Sequence, residues 1–199
     1  MNVVVALTVF AAIFPAELPD KTFIATLVLS TRFAAVPVWI GAAAAFVVQT
    51  AVAVAAGGAV SLLPQRPVHA VTAMLFAIGA VAVLLAKDQS AEEQEVAAEL
   101  AGVPARPTAW RAMVTSFLVL FVAEWGDLTQ LLTAAFAAKY HDIPAVATGA
   151  LLALWGVAAI GVVGGRALLR VVPVVWVQRV AAVVFGVLAA VTAVEAIRG

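Results

Sequence analysis

The chain has 199 residues, of which 65% are apolar and 11% are charged, against roughly 25% charged in an ordinary soluble domain. With a mean hydropathy of +1.14 it would expose large hydrophobic patches in water, so we expect an integral membrane protein. A net charge of zero gives no reason to expect a nucleic-acid partner, and the lack of cysteine excludes disulfides, thiolate metal sites and thiol nucleophiles.

Six segments are apolar over about the 20 residues that a helix needs to cross a bilayer. They are residues 3–30, 36–62, 68–86, 111–138, 144–165 and 174–196. No lysine or arginine precedes the first apolar run, so we expect a retained membrane helix there rather than a signal peptide. The sequence therefore predicts an all-α polytopic membrane protein with six transmembrane helices.

The stretch 88–110 differs from the rest because it is acidic and ends in prolines. Its distinctive residues are Asp88, Glu92, Glu93, Glu95, Glu99, Pro104 and Pro107. We expect a short helix over 91–101 outside the membrane, within a solvated loop that separates residues 1–87 from residues 111–199. Acidity alone leaves open a cation-collecting or regulatory role for this loop.

Basic residues near helix ends predict the orientation, because cytoplasmic loops carry an excess of Lys and Arg. Six helices place both termini on one side, together with Arg66, Lys139 and Arg198. The other side carries seven basic residues, which are Arg32, Lys87, Arg106, Arg111, Arg166, Arg170 and Arg179. We therefore expect the acidic loop in the cytoplasm and both termini outside it.

The two halves of the sequence are related by an offset of 107 residues, which aligns Glu17 with Glu124 and Asp20 with Asp127. The same offset, without a gap, aligns Thr22 with Thr129, Thr26 with Thr133, Pro37 with Pro144, and Gly57-Gly58 with Gly164-Gly165. We expect the glycine pairs to permit close helix packing. Because each half holds three helices, the halves should form a 3+3 inverted-topology repeat with a binding site near mid-membrane.

Each half carries an acidic pair well inside its first helix, namely Glu17-Leu18-Pro19-Asp20 and Glu124-Trp125-Gly126-Asp127. Acids three positions apart share a helix face, so both pairs can point into one cavity. Each charge costs about 2.5–3.5 kcal/mol at mid-bilayer, so protons, Lys21 or a metal ion must offset the four acids. Pro19 and Gly126 weaken the helix at the motif, which would offer backbone carbonyls beside the carboxylates.

The polar neighbours of the acids, Thr22, Thr129 and Gln130, supply only oxygen ligands, and no Cys, His or Met is close in sequence. Hard divalent ions such as Ca²⁺, Mg²⁺ and Mn²⁺ suit this set, whereas Cu(I) and Zn²⁺ usually recruit softer ligands. Clustered carboxylates repel one another and so favour protonation. Protons and metal would then compete for the same oxygens, which is a physical basis for exchange.

Four neighbouring polar residues have two interpretations each. Lys21 is either a counter-ion in a structural salt-bridge network or a tethered cation that entering metal displaces. Gln49, midway along the second helix, either completes the site or hydrogen-bonds a neighbouring helix. Thr26 and Thr133 either line the cavity or bond back to their own helix, which is the commoner case.

The doubled pattern Glu-x-Pro/Gly-Asp-Lys/Leu-Thr around an acidic loop resembles the calcium/cation antiporter-2 family, which includes Golgi-type manganese/calcium transporters and bacterial manganese exporters. The resemblance implies export of Mn²⁺, or of Ca²⁺, against protons in a bacterial plasma membrane, with the metal as substrate and no cofactor. It implies a cation site formed by Glu17, Asp20, Thr22, Glu124, Asp127, Thr129 and Gln130. Pro19 and Leu128 depart from the family pattern, Glu-x-Gly-Asp-Lys-Thr/Ser, and leave ion preference open.

Two other functions stay open. An exporter of small organic cations or amino acids would place the substrate amine against the carboxylates, and a non-transporting scaffold would use the acids only for packing. An enzyme is disfavoured because no nucleophile with a neighbouring base is visible. The expected partners are a divalent cation, protons and the lipid bilayer, and a homodimer is an open alternative.

Overall fold

The protein is described from a computed structural model, which covers residues 1–18, 20–85, 98, 108–171 and 174–198. The side chains of Lys21, of residues 165–171 and of Val174 are also outside this description. The predicted helix over 91–101, nearly all of the acidic loop 88–110, and Pro19 therefore lie outside the described residues.

Eight helices make up the described part of the chain, which contains no strand, and this confirms the all-α prediction. They are α1 (Val3–Glu17), α2 (Lys21–Arg32), α3 (Ala35–Val60), α4 (Gln65–Leu85), α5 (Ala109–Ala123), α6 (Leu128–Tyr140), α7 (Ile143–Val171) and α8 (Val174–Arg198).

Four helices, α3, α4, α7 and α8, are long and apolar enough to cross a membrane individually. The remaining helices form two bent pairs, α1 with α2 at 62° and α5 with α6 at 73°. Each pair can count as one broken span, so the protein is a multi-pass membrane protein with four to six candidate spans. The predicted segments 3–30 and 111–138 each break at the acidic motif, which agrees with the expectation that the helix is weakened there.

The second break has a clear local cause. Gly126 has a φ of 74°, a left-handed conformation that residues with a Cβ adopt rarely. Asp127 is then the N-cap residue of α6, and its Oδ1 accepts a hydrogen bond from the backbone N–H of Gln130 at 2.8 Å. Helix α5 thus ends at Ala123, the chain turns at Gly126, and α6 starts directly after Asp127.

The two longest helices lie at the centre of the bundle. Helix α3 packs on α5 and α6, the bent pair that follows the acidic loop, whereas α7 packs on α1 and α2, the bent pair that precedes it. Helices α3 and α7 also contact each other, and α4 packs extensively on α8. Each central helix therefore supports the bent pair of the opposite half, and the two halves share one core.

Several glycines in the described residues allow close helix approach, and two of them bear on the predicted glycine pairs. A Cβ at Gly57 would collide with the carbonyl oxygen of Ala134, and a Cβ at Gly161 would collide with the hydroxyl of Thr26. At Gly164 an added Cβ would meet nothing within 4 Å. The prediction of close packing is thus confirmed for Gly57 and wrong for Gly164, because α7 approaches α2 about one helical turn earlier, at Gly161.

Three connections meet at one end of the bundle. The backbone N–H of Asn2 donates to Asp142 Oδ2 at 2.6 Å, and a ring nitrogen of His141 lies 3.3 Å from Gln65 Oε1. The start of α1, the connection from α3 to α4 and the connection from α6 to α7 are therefore neighbours. A six-span topology requires this arrangement, and which side of the membrane this end faces stays a prediction.

We expect Gly57→Ala to lower the thermal unfolding temperature in detergent, because the new methyl group overpacks the α3–α6 contact at a cost of about 1–3 kcal/mol. Gly164→Ala is the matched control, since it adds the same methyl group to open space and should leave the temperature unchanged or slightly higher. Unfolding followed by tryptophan fluorescence tests this, and equal transitions for the two variants would contradict the packing assigned to Gly57.

Candidate cation-binding site

The four acids predicted as ligands lie at helix ends, beside the two breaks. Glu17 is the last residue of α1 and Asp20 immediately precedes α2, while Glu124 follows α5 and Asp127 immediately precedes α6. The expectation that each pair shares one face of a continuous helix is therefore wrong, because the helix breaks between its two acids. At the breaks, Asp20 and Asp127 face helix N-termini, whose partial positive charge stabilises carboxylates.

The two glutamates are buried and hydrogen-bonded across the halves. Glu17 is 0% exposed and Glu124 is 4% exposed. Thr22 Oγ1 donates to Glu124 Oε1 at 2.8 Å, and Thr129 Oγ1 donates to Glu17 Oε1. These two bonds are equivalent, because the offset of 107 residues aligns Thr22 with Thr129 and Glu17 with Glu124. Each glutamate thus accepts a hydrogen bond from a threonine of the other motif.

Three of the four carboxylates come together. Glu17, Asp20 and Asp127 each place one oxygen within 4.8 Å of the others. Within the described residues, Glu17 Oε2 is buried and has no hydrogen-bond partner. A buried carboxylate oxygen without a donor is costly unless a cation or a proton neutralises it, so this cluster suits a positively charged ligand.

Glu124 lies outside that cluster and lines a small cavity beside it. The cavity has a volume of about 20 Å³, which is close to the space that one water molecule needs. Its walls are formed by Gln49, Thr50, Ala53, Glu124, Asp127, Thr129, Gln130, Thr133 and Leu154. Asp127 belongs to both the cavity and the cluster of three carboxylates, so the two form one continuous polar site.

Gln49 links α3 to the second break. Its Nε2 donates to the backbone carbonyl of Phe121 at 3.0 Å. The last turn of α5 tightens here, because the N–H of Trp125 donates to the carbonyl of Val122 at 3.3 Å, three residues back. Gln49 therefore fits both of its interpretations, since it hydrogen-bonds a neighbouring helix and also lines the cavity.

Gln130, another expected cation ligand, lines the cavity. Its Oε1 accepts a hydrogen bond from the N–H of Gly126 at 2.8 Å, which fixes the orientation of the amide. Its Nε2 is buried and has no partner in the described part of the chain. In this arrangement the Gln130 amide oxygen stabilises the turn at Gly126 and its amino group remains as a donor at the site.

The structure describes the side chains of two further accessory residues, Thr26 and Thr133, but not that of Lys21. Thr26 Oγ1 donates to the carbonyl of Thr22 at 2.9 Å, and Thr133 Oγ1 donates to the carbonyl of Thr129 at 2.8 Å. Both threonines thus bond back to their own helices, although Thr133 also lines the cavity. The Lys21 side chain lies outside the described residues, so both of its interpretations stay predictions.

One cavity residue was absent from the sequence prediction. Thr50 is 4% exposed and lines the cavity beside Gln49. The available signal was its position next to Gln49 in the middle of an apolar segment, where two adjacent polar residues are costly unless they face protein. No offset partner marked it, because residue 157 at the same offset is a valine.

Comparison with known proteins places this chain in a family. A family profile described as "Divalent cation/proton antiporter GDT1" matches residues 5–91 and 112–199. The two matched ranges contain both acidic motifs and exclude most of the acidic loop. No solved structure is significantly similar to the chain.

Individual relatives agree with the profile. GDT1-like protein sll0615 of Synechocystis sp. is 32% identical over 174 residues, which cover 80% of this chain and 84% of that protein. The chloroplastic protein PAM71 of Arabidopsis thaliana is 30% identical over 209 residues, which cover 94% of this chain. The match covers 55% of PAM71, so the chain spans about half the length of that plant relative.

The resemblance inferred from the twin motifs is confirmed at the level of a divalent cation/proton antiporter family, and the name calcium/cation antiporter-2 stays a prediction. Members of the matched family are described as transporters rather than enzymes. The chain belongs to the GDT1 family of divalent cation/proton antiporters.

Proposed function

We propose that this protein is a secondary transporter that exports Mn²⁺, or less strongly Ca²⁺, in exchange for protons through the carboxylate site at the two breaks. The observation that carries the proposal is the cluster of Glu17, Asp20 and Asp127, whose oxygens lie within 4.8 Å of one another. Membership in the GDT1 family supports the reaction type.

The ligand chemistry supports a hard divalent cation. The described polar groups around the cluster are carboxylates, hydroxyls and amides, and Mn²⁺ and Ca²⁺ accept such oxygen ligands. Mg²⁺ dehydrates reluctantly and usually keeps several waters. A neighbouring cavity of about 20 Å³ leaves little room for a hydration shell, which favours ions that release water more readily.

The same oxygens account for exchange with protons. When no cation is bound, several carboxylates this close together in a low-dielectric site cannot all stay ionised, because they repel one another and are poorly solvated. Protons would then replace the metal ion. Binding of one positively charged species therefore requires release of the other, and this is the requirement for antiport.

The proposal includes a 3+3 inverted repeat, with residues 1–87 and 111–199 as its halves, a cytoplasmic loop 88–110, and both termini outside. The inverted repeat is supported by the two threonine–glutamate bonds, because alignment of the halves at the 107-residue offset makes these two bonds equivalent. It is also supported by the exchanged packing of α3 on α5 and α6 and of α7 on α1 and α2. Rocking of such halves about a shared site is a known route to alternating access.

The rival functions fit the site less well. An organic cation or amino acid needs a larger space than the cavity beside Glu124 offers. A scaffold has no use for a fully buried Glu17 whose second oxygen has no donor in the described part of the molecule, since apolar residues would pack there at lower cost.

We expect Glu17→Gln and Asp127→Asn each to abolish Mn²⁺ flux into proteoliposomes under an imposed pH gradient. Changes that only support a ligand cost about 10–100-fold in metal affinity, so loss of a direct ligand should cost more. Parallel assays with Ca²⁺ and Mg²⁺ should give the order Mn²⁺, then Ca²⁺, then Mg²⁺.

Asp142→Asn is the control, because it removes a carboxylate at the end of the bundle, away from the cluster, and should leave flux close to the unmodified rate. Normal transport by both Glu17→Gln and Asp127→Asn would exclude the carboxylate site. Transport of a small amine in place of metal ions would favour the organic-cation alternative.

We expect Thr22→Val to weaken Mn²⁺ binding by about 10-fold or more, because it removes the hydroxyl that donates to Glu124 while preserving the shape of the side chain. Thr26→Val is a closely matched control, since Thr26 is also fully buried on α2 but bonds to its own backbone, and it should change affinity by about twofold at most. Titration of the purified variants with Mn²⁺ measures both effects. Equal affinities for the two variants would show that the bond between the halves does not support cation binding.

A further inference from the structure

A second buried charge lies away from the carboxylate site, at the end of α6. The Lys139 side chain is only 5% exposed, and its Nζ lies 2.9 Å from Glu195 Oε2 on α8. The same Nζ donates to Thr192 Oγ1 at 2.6 Å and lies 5.3 Å from the centre of the Tyr140 ring. The sequence prediction placed Lys139 in a connection between helices, so this ion pair was not expected.

The ion pair joins two helices that otherwise contact each other little. Helix α6 packs on α3, α4 and α7, and α8 packs on α4 and α1. Among the described residues, α6 and α8 are not one of the closely packed helix pairs. The bridge therefore depends on the long side chains of Lys139 and Glu195, which reach across this gap.

Stability alone explains this pair poorly. Removing two charges from water costs several kcal/mol, and a well-packed apolar pair of similar size is often at least as stable. An ion pair can instead separate and later form again with the same geometry. Glu195 is 42% exposed on its side chain, so its carboxylate can regain water when the pair separates.

We propose that Lys139 and Glu195 form a latch that fastens α6 to α8 and has to open in each transport cycle. Asp127, the N-cap of α6, and Thr129 in its first turn lie at the carboxylate site, and the latch lies at the other end of α6. A movement of this helix therefore changes both together. The latch lies near the end of the bundle where Asn2 meets Asp142. This inference rests on the proposed function, because only a transporter needs the two helices to separate.

The sequence carries the same charges in its first half. The 107-residue offset aligns Lys139 with Arg32, which ends α2, and aligns Glu195 with Asp88. A cation and an anion therefore stand at both pairs of positions. Asp88 lies outside the described residues, and the proposal concerns the second-half pair alone.

The chain has no cysteine, so the latch can be tested by cross-linking without background. In the double variant Lys139→Cys, Glu195→Cys, a short bis-methanethiosulfonate cross-linker, which forms a disulfide with each cysteine and releases sulfinate, should stop Mn²⁺ flux in proteoliposomes, and a reductant should restore it. Mn²⁺ binding to the cross-linked protein in detergent should persist. The single variants Lys139→Cys and Glu195→Cys, treated identically, control for modification. Unchanged flux after complete cross-linking would overturn the latch.

A second measurement keeps Lys139 and Glu195 intact. Spin labels at His141→Cys and Ile197→Cys, both exposed in this structure, report the distance between the ends of α6 and α8. The distance between the two labels in samples with saturating Ca²⁺ at neutral pH should differ by about 5 Å, the length of one helical turn, from the distance in samples without Ca²⁺ at acidic pH. A single unchanged distance would overturn the latch. This measurement needs no flux assay, so failure of the latch can be distinguished from failure of the proposed function.

Discussion

A carboxylate within an apolar bilayer must find its hydrogen-bond donors inside the protein, and the architecture of this chain follows from that requirement. Glu17 and Glu124 meet it by accepting bonds from Thr129 and Thr22, which belong to the opposite motifs. These bonds can form only if the two bent helix pairs face each other. Helix α3 packs on the bent pair of the second half and α7 packs on the bent pair of the first half, and these contacts hold the pairs in that position.

The helix breaks serve the same requirement. A continuous helix uses its own backbone groups and offers none to a ligand, whereas a broken one leaves N–H and carbonyl groups that need partners. At the second break those partners are in place, because Asp127, Gln130 and Gln49 bond the N–H of Gln130, the N–H of Gly126 and the carbonyl of Phe121. The interruption is therefore tolerated in an apolar environment and positions Asp127 at the site.

Much of the framework was predictable from residue types and spacing. Apolar length located the membrane segments, and the offset of 107 residues identified the two acidic motifs and their threonines. Pro19 and Gly126 indicated a weak point in each helix, but periodicity could not show that the helix ends there, since Glu17 and Asp20 have the spacing of one helical face whether or not the helix continues. It also could not show that Thr22 bonds Glu124 of the other motif, because that contact depends on how distant segments pack.

Other misses have the same origin. The bond from the N–H of Gly126 to the Gln130 amide oxygen was not predicted, because that N–H lacks a helical partner only where the helix breaks. Gly164 was expected at a tight contact from its alignment with Gly57, but small shifts in helix register moved the contact to Gly161. Lys139 lies near a helix end, where a lysine normally reaches water, and only the position of α8 buries it.

The crossed threonine–glutamate bonds also determine how this protein can change over time. A substitution at Thr22 alters the surroundings of Glu124, 102 residues away, and not only those of its own motif. Compensating substitutions should therefore arise in the other half of the gene. Each acidic motif looks self-contained in the sequence, but we expect the two motifs to change together during evolution.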